Sequence, residues 1–285
     1  MTSSSGVDPA ATLIVTRPAQ DAGPLIDALR ARGRPVVALP VLAIEPADDP
    51  ALLAATLARI DDYRLVVFVS PNAIRQSLAH RAAPWPGGTV IGVMGPGSVE
   101  ALARLGIAAP DHRVISPASG AAATGEGQGE RFDSEALFAA LDAVIGLTKG
   151  FEGRVLILRG NGGRAWFADR LRSLGIAVDE VAAYRRVRPE ADADAQRALA
   201  DLQASRAAAV FIVTSSEGIA NLVAIVEAAL TADATITADA ARSWLFDCSI
   251  LAPHRRIAEK AREAGFSAVM LCAPGDRGIL AAIEC

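Results

Sequence analysis

The 285-residue sequence has few of the residues that bind metals or form disulfides. It contains three cysteines and three histidines, and no pair of them has the close helical spacing that zinc sites commonly use. Cys248, Cys272 and Cys285 are an odd number without a Cys-x-x-Cys motif, which fits reduced thiols better than a disulfide framework. The sequence therefore predicts no metal centre and no disulfide-stabilised secreted domain.

Aromatic residues, surplus charge and long apolar runs are scarce as well. Phe, Trp and Tyr make up 5% of the residues and the formal net charge is −4, whereas nucleic-acid binding needs a dense basic face and aromatic stacking platforms. No stretch approaches the ~18 consecutive apolar residues of a membrane span. The opening MTSSSGVDP lacks the basic and apolar segments of a signal peptide and is typical of a disordered tail. We expect a cytoplasmic monomer that binds neither nucleic acid nor membranes.

Short apolar runs alternate with helical patterns along the chain, which is typical of α/β proteins with parallel sheets. The length favours two domains, and 52% hydrophobic residues supply ample core material. The runs VVFV, VLIL and VFIV are continuously apolar, as expected for strands buried on both faces. Strands are predicted at 12–16, 65–70, 90–94, 154–158, 209–214, 249–251 and 268–271.

Three segments recur later in the chain in the same order, offset by roughly 140–160 residues, which indicates two copies of one domain-sized unit. TLIVTRPAQDAGPLIDALRARGRPV (12–36) is echoed by RVLILRGNGGRAWFADRLRSLGIAV (154–178). LVVFVSPNAI (65–74) is echoed by AVFIVTSSEG (209–218), and VMGPGSVEALARLGI (93–107) more loosely by LAPHRRIAEKAREAGF (251–266).

Two extended segments stand at corresponding places in the two copies. VALPVLAIEP (37–46) and EVAAYRRVRP (180–189) both end in proline. They predict a two-stranded antiparallel linker made of residues 38–44 and 182–188. One discontinuous α/β lobe would then contain residues 1–37 and 189–285, and the other residues 45–181.

Hydroxyl and guanidinium side chains follow several predicted strands. The carboxyl ends of parallel strands meet at one edge of a sheet, where ligands of open α/β proteins bind, and the following helix N-termini attract anions. Ser70 and Ser215 end matching strands, so they predict matching anion sites, with simple helix capping as the alternative. Arg17 and Arg159 offer planar forks for carboxylates, with surface ion pairs as the alternative.

Small and basic residues begin two further helices. Gly95, Gly97 and Ser98 form a turn suited to close approach by a bulky ligand. At the corresponding place in the second copy, Arg255 and Arg256 would add positive charge. A Gly-rich loop at 116–137 precedes a helix for which Ser134 is the predicted cap.

The ordered motifs resemble those of the uroporphyrinogen-III synthase family. They are VTRPAQDAGPLIDALRARG (15–33), ALPVLAIEP (38–46), FVSPNAI (68–74), GPGSVEALARLG (95–106), DSEAL (133–137), LILRGNGGR (156–164), AAYRRV (182–187), TSSEGI (214–219) and HRRIAEKAREAGF (254–266). The resemblance spans nearly the whole chain. It implies two similar parallel-sheet, flavodoxin-like lobes joined by a two-stranded linker, with the active site in the cleft between them.

The same resemblance implies the reaction and several site residues. The linear tetrapyrrole hydroxymethylbilane would lose its terminal hydroxyl as water, invert its last pyrrole ring and close to uroporphyrinogen III, without cofactor or metal. Tyr184 would lie at the cleft and act as general acid, with linker packing as the alternative. Ser98 would line the cleft, whereas its counterpart is Ile257, where some family members carry Thr. The substrate-binding candidates are Arg17, Ser70, Asn72, Gly95, Gly97, Ser98, Arg159, Gly160, Ser215, Ser216 and Arg256.

Two other function classes fit parts of the sequence. GNGGRA (160–165) matches the Gly-x-Gly-x-x-Ala pattern of dinucleotide-binding oxidoreductases, and Asp179 or Glu180 would supply the acidic residue that binds the ribose. The first copy reads RPAQDA (17–22) at this place and lacks the glycines. A non-catalytic bilobed sensor of an acidic ligand would use the same cleft, and turnover would distinguish it from an enzyme.

Overall fold

The computed structural model describes residues 7–79, 81, 83–117, 133–232 and 234–284. The predictions for the opening tail, the 116–137 loop, His80 and Cys285 lie wholly or partly outside these residues. The chain divides into two compact units: unit 1 comprises Met1–Ala43 with Val187–Cys285, and unit 2 comprises Ile44–Arg186. The chain therefore passes from one unit to the other within each of the two segments in which the sequence predicts the linker.

Strands and helices alternate through both units. The strands are β1 (Thr12–Val15), β2 (Val36–Ala38), β3 (Ala43–Pro46), β4 (Tyr63–Phe68), β5 (Val90–Val93), β6 (Val114–Ile115), β7 (Arg154–Gly160), β8 (Ala177–Val187), β9 (Ala209–Ile212), β10 (Ser249–Ala252) and β11 (Ala268–Leu271). The helices are α1 (Ala19–Arg30), α2 (Pro50–Ala58), α3 (Pro71–Leu78), α4 (Pro96–Ala103), α5 (Ser134–Ile145), α6 (Trp166–Ser173), α7 (Ala193–Ser205), α8 (Ser216–Thr231), α9 (Ala238–Asp247), α10 (Arg255–Ala264) and α11 (Gly275–Glu284).

Each unit is built on one sheet. In unit 1 the strand order is β11-β10-β9-β1-β2, and these neighbours pair in parallel. In unit 2 the order is β3-β8-β7-β4-β5-β6, and the pairs from β8 to β6 are parallel. The predicted α/β class with parallel sheets is confirmed.

The two sheets have the same strand order once β3 is set aside. β1, β2, β9, β10 and β11 of unit 1 correspond in position to β7, β8, β4, β5 and β6 of unit 2. The sequence repeats pair β1 with β7, β4 with β9 and β5 with β10, in agreement with this correspondence. Each unit therefore combines two strands from one repeat with three strands from the other.

The central strands are buried on both faces, as their continuous apolar runs predict. Leu65, Val66, Val67 and Phe68 of β4 have no exposed area. Val66 and Phe68 pack into one apolar cluster, and Leu65 and Val67 pack into another. Because helices cover both faces, the accessible part of the sheet is its edges and strand ends.

Some local predictions differ from the structure. β4 begins and ends earlier than the predicted 65–70, so Ser70 lies beyond the strand. The prediction of Ser134 as a helix cap is wrong, because Asp133 is the N-cap of α5 and its carboxylate accepts from the Ala136 amide. β3 lies next to β8 at the edge of the six-stranded sheet, so the separate two-stranded linker stays a prediction. None of the helices in the described residues is long and apolar enough to cross a membrane.

Candidate functional site

Ser70 and Ser215 are equivalent helix caps in the two units. Ser70 is the N-cap of α3, and its Oγ accepts from the Ala73 amide at 3.1 Å. Ser215 is the N-cap of α8, and its Oγ accepts from the Gly218 amide at 3.3 Å. The capping alternative is therefore realised at both sites, and each cap stands at the carboxyl end of a central strand. A role in anion binding stays a prediction for both.

Tyr184 of β8 lies next to Ser70. The phenol oxygen is 3.1 Å from Ser70 Oγ, and either oxygen can be the donor. The tyrosine is only 5% exposed, so its ring is packed while its hydroxyl meets the serine at the strand ends. Two residues that the sequence singled out separately thus form one hydrogen-bonded pair.

Gly160 makes room for the Tyr184 ring. A Cβ atom built on Gly160 would lie 2.8 Å from Tyr184 Cζ and 3.1 Å from the phenol oxygen. Real Cβ atoms do not approach other atoms so closely, so any larger residue at 160 would displace the ring. The structure thus gives Gly160 a role beneath Tyr184 that the sequence did not indicate, and a direct contact with substrate stays a prediction.

A bulge between β7 and β8 determines which residue of β8 reaches Ser70. Arg159 pairs with Ala182, but Gly160 pairs with Tyr184, so Ala183 is an extra residue in β8. Such an insertion changes the direction of the following side chain. Tyr184 consequently packs in the same apolar cluster as Val181 and Ala183.

Asn161 holds this bulge and was missed by the sequence analysis. Its backbone N–H donates to the Tyr184 carbonyl at 3.0 Å, and its Oδ1 accepts from the Arg186 amide at 2.8 Å. The only sequence signal is the turn-forming Gly-Asn-Gly-Gly stretch that contains it.

A cavity of about 360 Å³ opens beside this pair within unit 2. It lies where β4, β5, β7 and β8 end, which is the ligand-binding edge of an open parallel sheet. Its lining includes four of the predicted site residues, namely Ser70, Arg159, Gly160 and Tyr184. Ser134, Arg164 and Arg186 also line it.

Arg17 and Arg159 are both held by carboxylates. Arg159 donates through Nη1 to Glu180 at 2.6 Å and through Nη2 to the Gly162 carbonyl at 2.7 Å. Arg17 donates through Nη1 to Asp276 at 2.5 Å. The ion-pair alternative is thus realised at both positions. Because a guanidinium has five N–H donors, these contacts leave donors for a further carboxylate.

The N-termini of α4 and α10 are equivalent. Gly95 caps α4 and His254 caps α10, and the amides of Ser98 and Ile257 donate to these two residues' carbonyls at 3.0 Å. The correspondence of Ser98 with Ile257 therefore holds in the structure. Both side chains are buried, at 3% and 7% exposure.

The remaining candidates lie at the surface or near it. Gly97 is exposed, and a Cβ atom there would meet only Pro71 Cγ at 3.8 Å, so the protein itself does not require glycine. Arg256 is exposed in the first turn of α10, and Ser216 is half-buried at the start of α8. Asn72 Oδ1 accepts from Arg75 Nη2 at 2.5 Å.

The place equivalent to the Tyr184 region holds a valine in unit 1. A Cβ atom on Gly218 would lie 3.0 Å from Val41 Cγ2, and Asn221 Nδ2 donates to the Val41 carbonyl at 2.9 Å. A valine thus packs near the Ser215 cap, whereas a phenol lies near the Ser70 cap. The two units share the same arrangement of strands and helices. Of the Ser70 and Ser215 caps, the one with a tyrosine hydroxyl beside it is Ser70, in unit 2.

A larger cavity of about 650 Å³ lies in unit 1 at the opposite edge of its sheet. Its lining includes Ala209, Ser249 and Ala268, which are the first residues of β9, β10 and β11. Ligands of open parallel sheets bind at the other ends of the strands, and none of the predicted site residues lines this cavity. Size alone does not make it the functional site.

The loop that resembles a dinucleotide-binding fingerprint is held by a hydrogen bond from the arginine that precedes it. Gly162 and Gly163 have φ angles of 140° and 105°, and Arg159 donates to the Gly162 carbonyl. Glu180, one of the two acids expected to bind ribose, accepts from Arg159 and contacts Arg172 at 2.9 Å.

The other candidate acid, Asp179, is also engaged. It accepts from the Tyr63 hydroxyl at 2.7 Å and from Arg154 at 2.6 Å. Both acids are thus engaged by protein side chains, which counts against the oxidoreductase interpretation.

These features define a class of protein. Within the described residues, no group of three or more His, Cys, Asp and Glu side chains could hold a metal ion. A phenol, a hydroxyl and a guanidinium line one cavity at the carboxyl ends of parallel strands, which is where α/β proteins of the open parallel-sheet class bind small ligands. The family model HEM4, uroporphyrinogen-III synthase HemD, matches residues 23–275. The chain belongs to the uroporphyrinogen-III synthase family, whose members are cyclising lyases of tetrapyrrole biosynthesis.

Individual relatives agree with this assignment. The chain is 25% identical over 274 residues to the uroporphyrinogen-III synthase of Escherichia coli strain K12, with 94% of this chain and 98% of that protein covered. Its fold is similar to a crystal structure of mutant uroporphyrinogen III synthase from the extremely thermophilic bacterium Thermus thermophilus (TM-score 0.53, 16% identity, 96% and 99% coverage). It is also similar to uroporphyrinogen-III synthetase from Helicobacter pylori 26695 (TM-score 0.53, 12% identity, 95% and 97% coverage). The predicted family and function are thereby favoured over the oxidoreductase and sensor alternatives.

Proposed function

We propose that the chain converts hydroxymethylbilane to uroporphyrinogen III with the Tyr184–Ser70 pair as its proton-transfer group. The C–O bond of the terminal hydroxymethyl group breaks, and the departing oxygen takes a proton from Tyr184 and leaves as water. Inversion breaks the C–C bond between the last pyrrole and its methylene bridge. Two new C–C bonds, one from this bridge to the other α-carbon of the pyrrole and one from the carbon that lost water to the vacated α-carbon, then close the ring. The proton lost from the attacked pyrrole carbon restores the phenol, so one water is the net loss.

The 3.1 Å contact between the two hydroxyls is the observation that carries this proposal. Ser70 Oγ already accepts the Ala73 amide, so its own proton can be donated to the Tyr184 oxygen. That donation leaves the phenol proton available for substrate and stabilises the phenolate that forms. A phenol hydroxyl can donate its proton to a departing hydroxide.

Substrate carboxylates would bind around this pair. Arg159 supplies a guanidinium in the wall of the cavity, and the N-terminus of α3 supplies partial positive charge. In unit 1, we propose Arg17, Arg256 and the start of α8 at Ser215 for the same role. The cavity of about 360 Å³ is near the small end of ligand pockets, so it would hold part of the linear tetrapyrrole.

Positioning should contribute more than acid catalysis. A general acid typically gives ~10²–10⁴-fold, whereas holding two reacting ends in place can contribute about 7–11 kcal/mol. We therefore expect Tyr184→Phe to lower kcat but to leave uroporphyrinogen III as the main product. A variant that released mainly the type I isomer would show that Tyr184 controls geometry instead.

The decisive experiment gives freshly made hydroxymethylbilane to the purified protein and separates the uroporphyrin isomers after oxidation. Spontaneous closure produces type I, so a type III product that scales with protein concentration would establish the activity. Type I alone from folded protein would overturn it and favour a bilobed sensor. A fluorescence change on titration with NAD(P)H would instead revive the oxidoreductase interpretation.

A cytoplasmic location and a monomeric state belong to the same proposal. Cys248 and Cys272 are free thiols, as is usual for proteins in reducing compartments. Burial raises the pKa of the Cys248 thiol to about 12, which keeps it protonated and unreactive. The reaction as written needs no cofactor or metal, because its steps only transfer protons and form and break C–O and C–C bonds.

A further inference from the structure

Asn161 extends the pairing of β8 beyond the end of β7. β7 ends at Gly160, so the following residues of β8 have no strand on that side. The backbone N–H of Asn161 donates to the Tyr184 carbonyl at 3.0 Å, and its side-chain Oδ1 accepts from the Arg186 amide at 2.8 Å. The amide side chain thus takes the place of a strand carbonyl and fixes the backbone that follows Tyr184.

This fixation matters because Tyr184 follows an insertion in the strand. Successive side chains of a strand alternate between faces, so residues 183 and 184 should point in opposite directions. The extra residue at Ala183 breaks the alternation, and Ala183 and Tyr184 pack in the same cluster. A bulge is locally unpaired, so its geometry depends on the contacts that follow it.

We propose that Asn161 is a positioning residue for the Tyr184 hydroxyl, acting through the backbone that follows the bulge. Its side chain is exposed, so its removal empties no core space. Losing the Oδ1 contact removes this acceptor from the Arg186 amide and lets the Tyr184 hydroxyl drift from Ser70. The inference rests on the proposed function, because it assumes that Tyr184 acts on substrate.

The test compares four single variants and one double variant with the wild-type protein in the hydroxymethylbilane assay. Asn161→Ala removes the acceptor, and Asn161→Asp keeps an oxygen at the same place. Thr148→Ala is a matched control, because Thr148 is exposed in unit 2 and also uses its side chain for a local hydrogen bond, to Asp142 at 2.9 Å. Tyr184→Phe supplies the reference for loss of the hydroxyl.

We expect Asn161→Ala to lower kcat roughly three- to tenfold, the range of one exposed hydrogen bond, with little change in KM. Asn161→Asp and Thr148→Ala should stay within about twofold of wild type on the same scale. The double variant Asn161→Ala/Tyr184→Phe should be no slower than Tyr184→Phe alone, because both changes act on the same hydroxyl.

Wild-type kcat in Asn161→Ala, an equally slow Asn161→Asp, or additive losses in the double variant would each overturn the inference. The proposed function would survive any of these results, because it depends on wild-type activity and on Tyr184→Phe. A wild-type protein without type III product would instead remove both. Should Asn161→Ala not fold, Asn161→Ser replaces it with the same expected slowing.

Discussion

Replacement of Gly160 by alanine tests the packing beneath Tyr184. The new Cβ would lie 2.8 Å from Cζ and 2.9 Å from Cε2 of the ring. Ordinary contact begins at 3.4 Å, so the ring must move by about half an ångström or more, a shift that a densely packed core resists. Gly160 has no left-handed φ angle, so alanine is compatible with the backbone there. Any effect of Gly160→Ala therefore comes from the contact with the Tyr184 ring.

The expected cost follows from the burial of the ring. Overpacking a filled site typically costs about 1–3 kcal/mol, while glycine to alanine in a strand returns roughly 0.5–1 kcal/mol. Gly23→Ala is the matched control, because a Cβ there has nothing within 4 Å. We expect Gly160→Ala to unfold a few degrees below Gly23→Ala in a thermal melt followed by circular dichroism.

Activity should fall together with stability. Because the displaced ring loses its contact with Ser70, kcat of Gly160→Ala should approach that of Tyr184→Phe, whereas Gly23→Ala should keep wild-type kcat. In a Tyr184→Ala background the added methyl has space, and Gly160→Ala should no longer destabilise. Equal melting temperatures and equal kcat for the Gly160 and Gly23 variants would refute the steric reasoning.

Three further predictions concern other parts of the two units. Ser70→Ala and Ser215→Ala should each cost roughly 0.5–2 kcal/mol through loss of a cap, but only Ser70→Ala should lower kcat by weakening Tyr184; equal kcat losses in the two variants would contradict this. Arg17→Ala should raise KM with little change in kcat, and an unchanged KM would remove Arg17 from the substrate site. Burial, with the Asp179 hydrogen bond, raises the pKa of Tyr63 to about 12 from 10.0, so its contribution to stability is present below pH 10 and is lost as the pH rises toward 12. In Tyr63→Phe, the free energy of unfolding, measured with urea, should fall less between pH 10 and pH 12 than in the wild-type protein. An equal fall in both proteins would contradict the assignment of this pH dependence to Tyr63.

Strand prediction succeeded where the chain is buried on both faces. β5 and β10 lie within one residue of the predicted 90–94 and 249–251, because a continuous apolar run has few alternatives in an α/β chain. β6 spans only two residues and was not predicted. β3, which was expected only as part of the linker, is an edge strand without fully buried residues, so its sequence lacks that signal.

The sequence predicted the edge of the sheet at which the site lies, but not which side chains touch there. Strand order brings Ser70 and Tyr184 to the same edge although they are 114 residues apart, but the bulge at Ala183 decides that they touch. The requirement for Gly160 comes from a side chain on another strand. The acid held by Arg17 is 259 residues away. Such tertiary contacts leave no local pattern in the chain.

The exchange of strands between the two repeats has a consequence for synthesis. Residues 43–187 contain every strand of the six-stranded sheet, so we expect this sheet to form as soon as they have left the ribosome. β1 must wait for β9, its parallel partner from Thr12↔Ala209 onward, while roughly two hundred residues are made at about 5–20 residues per second. During synthesis, the apolar strands β1 and β2 therefore remain without the rest of their sheet for many seconds. Chaperone dependence and aggregation during expression should consequently arise from residues 12–38, the segment that contains β1 and β2.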